Sequence, residues 1–369
     1  MYIRYPTLGL ASALVAGLVG CSANGTGDTS HDDPFTDSVA SALEDTATDD
    51  DTGSGEEVLV YDDFRGGFTT EGPGAKWDPP IFADGITSTS SRGLRVIPSG
   101  TNPVTGQPAF ASTTGQQSSG GYGTMDHIKW AGLLRHTSTA GFSGWDTPAS
   151  GVLSCTTTIS SVGTGLDAHP FGSNVSDAQS DLRLGASVML FTDQETNSVF
   201  DFFVTNKQIY AIYERLPRQG STYAAFNYSV PVATRTSTAQ QDNLTISVNQ
   251  QSSSATWWVN GRSVLQVNGI GTRAVDRKYM TLDHGGTPQV VRPRQLDCGL
   301  GTFTLLDGAL APQSAGLVRL DSTVDYFAPR SGAPARQTFF DEHSDAQNRL
   351  WGQGVQLNVA KIKVTRSAK

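Results

Sequence analysis

Between residues 184 and 267 this 369-residue chain is a succession of short apolar, β-branched and aromatic runs, each closed by turn residues. That spacing leaves little to build but an antiparallel meander. Leu184 to Thr192 ends in the turn Asp193-Gln194-Glu195-Thr196-Asn197. Ser198 to Thr205 ends in Asn206-Lys207, and Gln208 to Leu216 returns with Tyr210, Ile212 and Tyr213. Phe226 to Val232 and Leu244 to Asn249 continue the pattern. Ala255 to Val259 then meets Asn260-Gly261, and Ser263 to Val267 runs back. Asn-Gly is the strongest short hairpin signal because both residues accept positive φ. Later strands are expected over Lys278 to His284, Gly301 to Leu306 and Val355 to Thr365. No long helical period and no internal repeat competes, so the prediction is all-β, a sandwich or jelly roll of two antiparallel sheets. From Val58 to Lys369 the chain forms one such domain of about 310 residues, enough for a large single core.

The N-terminus carries a different signal. Arg4 and the amino group lead into an apolar run from Leu8 to Gly20 that is too short to span a bilayer comfortably. It closes on Leu18-Val19-Gly20-Cys21, which resembles the lipobox of bacterial lipoproteins. The resemblance implies that residues 1–20 are a cleaved signal, that Cys21 is lipidated, and that the protein is extracytoplasmic and held at a membrane by acyl chains alone. Ser22 after the lipidated Cys points to the outer membrane or cell surface of a diderm host.

Residues 21–57 read as a tether. Ser22 to Glu57 contains 11 acidic residues, no Lys or Arg and almost no large apolar side chain, so it cannot offset its ordering entropy by burial. As a coil it would lift a domain about 30 Å from a membrane. With the tether and Arg4 set aside, 24 acidic residues face 25 basic ones. The formal charge of −9 thus belongs to the tether, which removes the usual case for nucleic acid or an anionic membrane surface as partners.

Several scattered segments of the domain carry a second resemblance. Tyr61-Asp62-Asp63-Phe64-Arg65-Gly66-Gly67-Phe68 followed by Lys76-Trp77 resembles the opening strand of concanavalin A-like lectins and glucanases. Ser91-Arg92-Gly93-Leu94-Arg95-Val96 is similar to their second strand. Gly151-Val152-Leu153-Ser154 resembles the strand that begins their inner sheet, and Trp257-Trp258-Val259-Asn260-Gly261-Arg262-Ser263-Val264 their late hairpin. Ile362-Lys363-Val364 sits where that fold closes. Together with Tyr213-Glu214-Arg215-Leu216-Pro217 and Leu282-Asp283-His284-Gly285-Gly286, the chain resembles a family of exported bacterial and fungal proteins that supplies a fold and no activity. The resemblance implies a jelly roll whose concave face binds glycans.

The Glu-x-Asp-x-x-Glu of the superfamily's laminarinases is missing: Val199-Phe200-Asp201-Phe202-Phe203 keeps only the Asp. A weaker constellation remains. If Asn206-Lys207 is a two-residue turn, Asp201 faces Ile212, Val199 faces Glu214, and the two carboxylates lie diagonally on one sheet face. A one-residue slip would separate them. They could form an acid/base pair, hydrogen-bonding groups of a non-catalytic groove, or structural carboxylates satisfied by Arg215, Arg183 or a backbone amide. Tyr210, Tyr213 and Arg215 are the accompanying candidates for sugar contact. Asp283-His284 ends a strand beside a Gly-rich loop and offers a ligand contact, or a proton-transfer group in His284; a loop-holding hydrogen bond is the competing reading. Asp167-Ala168-His169 and Asp126-His127 are similar loop pairs with less to commend them.

No compact metal set, nucleophile elbow or phosphate loop occurs, and no cofactor is expected. Asp62 and Asp63 could contact a structural calcium or simply form a charged turn. Cys155 and Cys298, the two cysteines of the domain, are expected to pair in an oxidising compartment. Two functional classes follow: a surface-anchored carbohydrate-binding domain, or a polysaccharide-active hydrolase or lyase using Asp201 and Glu214. A structural envelope protein is the third.

Overall fold

The computed structural model describes residues 55–116 and 123–367. Cys21, the signal segment and nearly all of the tether lie outside them. Glu56 and Glu57, assigned to the tether by sequence, are already strand residues paired with Ser367 and Arg366.

Two eight-stranded sheets face each other. The first runs β15 (Arg262–Asn268), β14 (Ser254–Val259), β13 (Asp242–Asn249), β8 (Val152–Thr164), β20 (Gly354–Ser367), β3 (Gly93–Ile97), β2 (Ile86–Ser90), with β1 (Glu56–Asp62) also on β20. The second runs β16 (Met280–Asp283), β12 (Phe226–Thr234), β11 (Gln208–Arg215), β10 (Ser198–Val204), β9 (Ala186–Asp193), β17 (Gln295–Phe303), β6 (Ile128–Leu133), with β7 (Trp145–Asp146) on β17. Both sheets are antiparallel throughout. A ribbon of β4 (Gly100–Thr101) and β5 (Pro108–Ala109) and a parallel pair of β18 (Gly316–Val318) and β19 (Phe339–Asp341) complete the strands. The fold is the all-β jelly-roll sandwich of two antiparallel sheets expected.

Sequence pattern decides what each sheet does. β13 alternates: Leu244, Ile246 and Val248 are buried while Asn243, Thr245 and Ser247 are only partly so. That is the signature of a sheet with one covered face. β10, in contrast, is buried at every position. Phe200, Phe202 and Val204 join the core between the sheets, and Phe203 joins a second cluster on the opposite face with Leu190, Tyr210, Ile212 and Tyr326. The second sheet is therefore covered on both sides, and its outer cover is the chain's own segment from Leu305 to Asp341. Leu305, Tyr326 and Phe339 pack on the sheet, while Leu306, Leu317, Val318 and Leu320 close against Leu166, Phe171 and Leu184.

Three local devices fix the frame. Asp62 receives the Phe64 amide at 3.0 Å, the Trp77 indole N–H at 2.8 Å and the Lys76 ammonium at 3.2 Å, which explains why Asp62, Phe64, Lys76 and Trp77 occur together. Both its oxygens accept from these donors, which hold the turn together. Asn260 and Gly261 adopt φ of 51° and 77°, the primed turn expected between β14 and β15. Cys155 on β8 and Cys298 on β17 form a disulfide that ties the two sheets across the core. One expectation needs correction: Gly151 to Ser154 opens β8, a central strand of the first sheet, whereas Asp201 and Glu214 lie in the second. The expected strand at Lys278 also begins later, because Arg277–Tyr279 is a 3₁₀ turn capped by Asp276.

Candidate functional site

The Asn206-Lys207 turn sets the register as the sequence suggested. Asp201 pairs with Ile212 and Val199 with Glu214, so Asp201, Glu214, Tyr210 and Ile212 share the face that the Leu305–Asp341 segment roofs. Glu214 lies opposite Asn227 of β12. The Asn227 carbonyl oxygen accepts from Ser229 at 3.0 Å and Thr281 at 2.6 Å, which turns its amide N–H₂ toward Glu214.

The roof adds two groups that sequence reasoning missed. Asp307 comes within electrostatic reach of Glu214, and the Tyr326 hydroxyl donates to Asp307 Oδ2 at 3.1 Å. The Tyr326 ring lies 4.9 Å from that of His284, whose Nδ1 is 2.8 Å from the Asp325 carbonyl. Asp201, Glu214, Asp307, Tyr326 and His284 thus form one contiguous cluster. Asp201 and Glu214 come from two adjacent strands, His284 directly follows β16, and Asp307 and Tyr326 come from a segment more than 90 residues downstream of Glu214, whose irregular pattern offered no period to read.

Burial governs the chemistry here. It pushes Asp201 well above the usual carboxylate range; the Phe191 amide at 3.2 Å opposes this and Glu214 adds to it. Burial raises Glu214 to about 8 against the lowering contribution of Asn227, and Asp307 to about 7 against that of Tyr326. Burial likewise lowers His284 below its ordinary value. At neutral pH the cluster accordingly carries little charge: Glu214 largely protonated, Asp307 about half so, and beside them a phenol, an amide and an imidazole whose charged form burial disfavours. Asp201 and Asp307 are each 3% exposed, whereas Glu214 and His284 are partly exposed. Of the cluster, only those two residues reach the surface in part.

The other sequence candidates are placed elsewhere. Tyr213 points into the core between the sheets, its hydroxyl accepting from the Gly271 amide and donating to the Thr272 carbonyl at 2.7 and 2.9 Å. Arg215 lies on that same side, stacked 3.8 Å over Tyr223 and bonded to Thr196 and Gln289 carbonyls. Neither is available for a ligand at Glu214, because alternation along β11 sends them the other way. Tyr210 is on the roofed face but buried, donating to the Ser180 carbonyl at 2.9 Å. Asp283 is held by Arg273 at 2.8 Å and Arg277 at 2.6 Å. Arg183 pairs with Asp181, not with Asp201. Asp126 accepts from Thr113 and Thr114 and pairs with Lys129 and Arg349. Asp167 accepts from Gln179, and His169 from the Phe171 amide. Among the described residues no group of three or more His, Cys, Asp or Glu side chains is placed to hold a metal ion.

A jelly-roll sandwich with a roofed, neutral polar cluster on its second sheet is the class of protein that fold and site define. The chain belongs to a family of unknown function, DUF6081, matched over residues 61–368. It is 30% identical over 190 residues to an uncharacterized protein of Acanthamoeba polyphaga mimivirus, covering 36% of this chain and 43% of that protein. The chain therefore spans under half the length of the curated relative it matches. Among solved structures it is similar to the kappa-carrageenase of Pseudoalteromonas carrageenovora in complex with an oligotetrasaccharide of kappa-carrageenan, at 11% identity and TM-score 0.40, covering 88% of this chain and 99% of that one. The endo-1,3-beta-glucanase of Streptomyces sioyaensis gives 12%, 0.37, 86% and 98%. Alginate lyase A1-II′ gives 10%, 0.38, 77% and 84%.

Proposed function

We propose that this protein is an extracytoplasmic, lipid-anchored carbohydrate-binding protein, with Cys21 carrying the lipid and the cluster around Glu214 contacting the glycan. The observation that carries the reading is Glu214 itself. It is the partly exposed member of a carboxyl cluster, and it holds its proton to about pH 8. A protonated carboxyl beside an amide both donates and accepts hydrogen bonds, which suits the hydroxyls of an uncharged sugar. A phosphate or sulfate would call for a free cation, yet the nearby arginines are committed: Arg319 to Glu342, Arg273 and Arg277 to Asp283.

Binding is favoured over cleavage because glycoside hydrolysis needs a scissile bond between two carboxyls, and Asp201 beneath the roof and Asp307 within it are each only 3% exposed. One observation favours the enzymatic alternative: burial raises Glu214 to about 8 and Asp307 to about 7, so near neutrality one carboxyl is largely protonated while the other is about half ionised, the asymmetry an acid and base require. A single experiment separates the two. The full chain is screened against immobilised neutral glycans from pH 6 to 9, with release of reducing ends or unsaturated products followed in parallel. Binding without turnover is expected, lost in Glu214→Leu and retained in Glu214→Gln without its decline above pH 8. Undiminished binding by Glu214→Leu would overturn the site assignment, and turnover would favour the enzyme. Incorporation of a labelled fatty acid, abolished in Cys21→Ser, tests the anchor.

A further inference from the structure

The outer face of the first sheet carries a second organised row of side chains. Strand registers place Trp258 of β14 opposite Thr245, Thr245 opposite Thr156, Thr156 opposite Lys363, and Lys363 opposite Tyr61. Directly opposed residues share a face, so Trp258, Thr245, Thr156, Lys363 and Tyr61 form one transverse line across five strands. At one strand spacing per step the aromatic ends lie about 19 Å apart. Thr156 and Thr245 are joined by a hydroxyl–hydroxyl hydrogen bond of 2.9 Å, as are Ser154 and Ser247 in the neighbouring row. Tyr61 is 47% exposed, and Trp258, Thr245, Thr156 and Lys363 are all partly exposed. Lys361 and Lys363 make no ion pair among the described residues, no carboxylate stands in this row or in the one of Thr256, Ser247, Ser154, Thr365 and Val58, and Asp63, the carboxylate near Tyr61, is paired with Arg65.

We infer that this row is a binding track for an extended acidic polysaccharide, independent of the Glu214 cluster on the other sheet. Trp258 and Tyr61 offer flat apolar faces for sugar rings at the two ends. The paired hydroxyls between them offer donors and acceptors at strand spacing, close to the advance of an extended sugar chain per ring. Lys363, with Lys361 beside it, supplies uncompensated positive charge for carboxylate or sulfate groups. An unpaired cation in a row ended by two accessible aromatics, with the neighbouring Asp63 engaged by Arg65, fits an anionic glycan better than a neutral one or a protein rim.

The test uses the full chain with polygalacturonate, a sulfated galactan, dextran, and polyglutamate as a polyanion without sugar rings. Polygalacturonate or the galactan is expected to bind, and the stronger of the two identifies the anionic group; dextran and polyglutamate bind at least tenfold more weakly. Trp258→Ala and Tyr61→Ala each weaken binding about tenfold. Lys363→Gln weakens it several-fold and flattens its salt dependence, and its surface position keeps the test open should Trp258→Ala fail to fold. Glu214→Leu leaves this binding unchanged, which separates the track from the other site. The inference is overturned if neither acidic glycan binds, if polyglutamate binds as well as they do, or if Tyr61→Ala and Lys363→Gln both retain full affinity.

Discussion

The Tyr326 hydroxyl donates to Asp307 Oδ2 at 3.1 Å, and this bond ties together two distant positions of the roof over the carboxyls of the second sheet. Among the described residues Asp307 Oδ1 is buried with no partner, and Tyr326 is the side chain that donates to the Asp307 carboxyl. Tyr326→Phe keeps the ring against Phe339 at 5.1 Å and His284 at 4.9 Å and removes only the donor. A buried acceptor left without a partner costs about 1–3 kcal/mol. Urea unfolding at pH 7 is expected to show a loss in that range, and a loss below about 0.5 kcal/mol, the level of an ordinary surface substitution, would mean the bond contributes nothing to holding the roof.

Stability should fall as pH rises between 6.5 and 8. Glu214 has a folded-state value of about 8 against 4.5, and Asp307 about 7 against 3.8; Asp201 is raised as well. In this window the native state retains protons that the unfolded chain has already released, so their stabilising contribution, complete below the unfolded values, is lost toward the folded ones. Each such proton contributes a slope of about 1.4 kcal/mol per pH unit. His284, whose value is lowered, works in the opposite direction only below its ordinary 6.5, which is why the window begins there. Glu214→Gln should flatten the slope of urea midpoint against pH. A slope unchanged by that substitution would show that Glu214 ionises freely.

The parts legible in the sequence were those with a period or a turn signal. The Asn260-Gly261 hairpin, the Asn206-Lys207 turn and the pairing of Asp201 with Ile212 followed from local chemistry, because a two-residue turn leaves one register. The site was only half legible. β10 is a continuous apolar run buried on both faces, a pattern that a half-open groove would not produce; Ser198 to Val204 carried that information, although what covered the outer face could not be read from it. Asp307 and Tyr326 sit in an irregular segment whose contact with Glu214 is purely tertiary. Tyr213 and Arg215 are a different case, since alternation from Glu214 alone places them on the other face.

Removing the Cys155–Cys298 bridge should destabilise the sandwich substantially. The bridge spans 143 residues, and the chain-entropy model gives about 5 kcal/mol for a loop of that length. Both cysteines are fully buried, so a phosphine reductant should act only on opened molecules. The expected result is slow reduction in buffer, fast reduction near the urea midpoint, and a midpoint well below that of the oxidised protein. Rapid reduction of the native chain with no shift in midpoint would show that the bridge neither is shielded nor constrains the fold.

Asp201 provides the sharpest distinction between a carboxyl that works as an ion and one that works as a neutral acceptor. It is 3% exposed, pairs with no cation among the described residues, and uses Oδ1 to accept the Phe191 amide at 3.2 Å, while burial favours its protonated form. Asn has the same shape, retains the acceptor and cannot ionise. Asp201→Asn should therefore be neutral or slightly stabilising at pH 8, where the native carboxyl is under the most pressure to lose its proton. Asp201→Ala should cost about 1–3 kcal/mol, since the Phe191 amide loses a buried partner. Thermal unfolding of both variants beside the parent at pH 6 and pH 8 gives the comparison. A large loss in Asp201→Asn at pH 8 would mean that the carboxylate form is the one the fold depends on, and the cluster would then have to be redrawn around a buried negative charge.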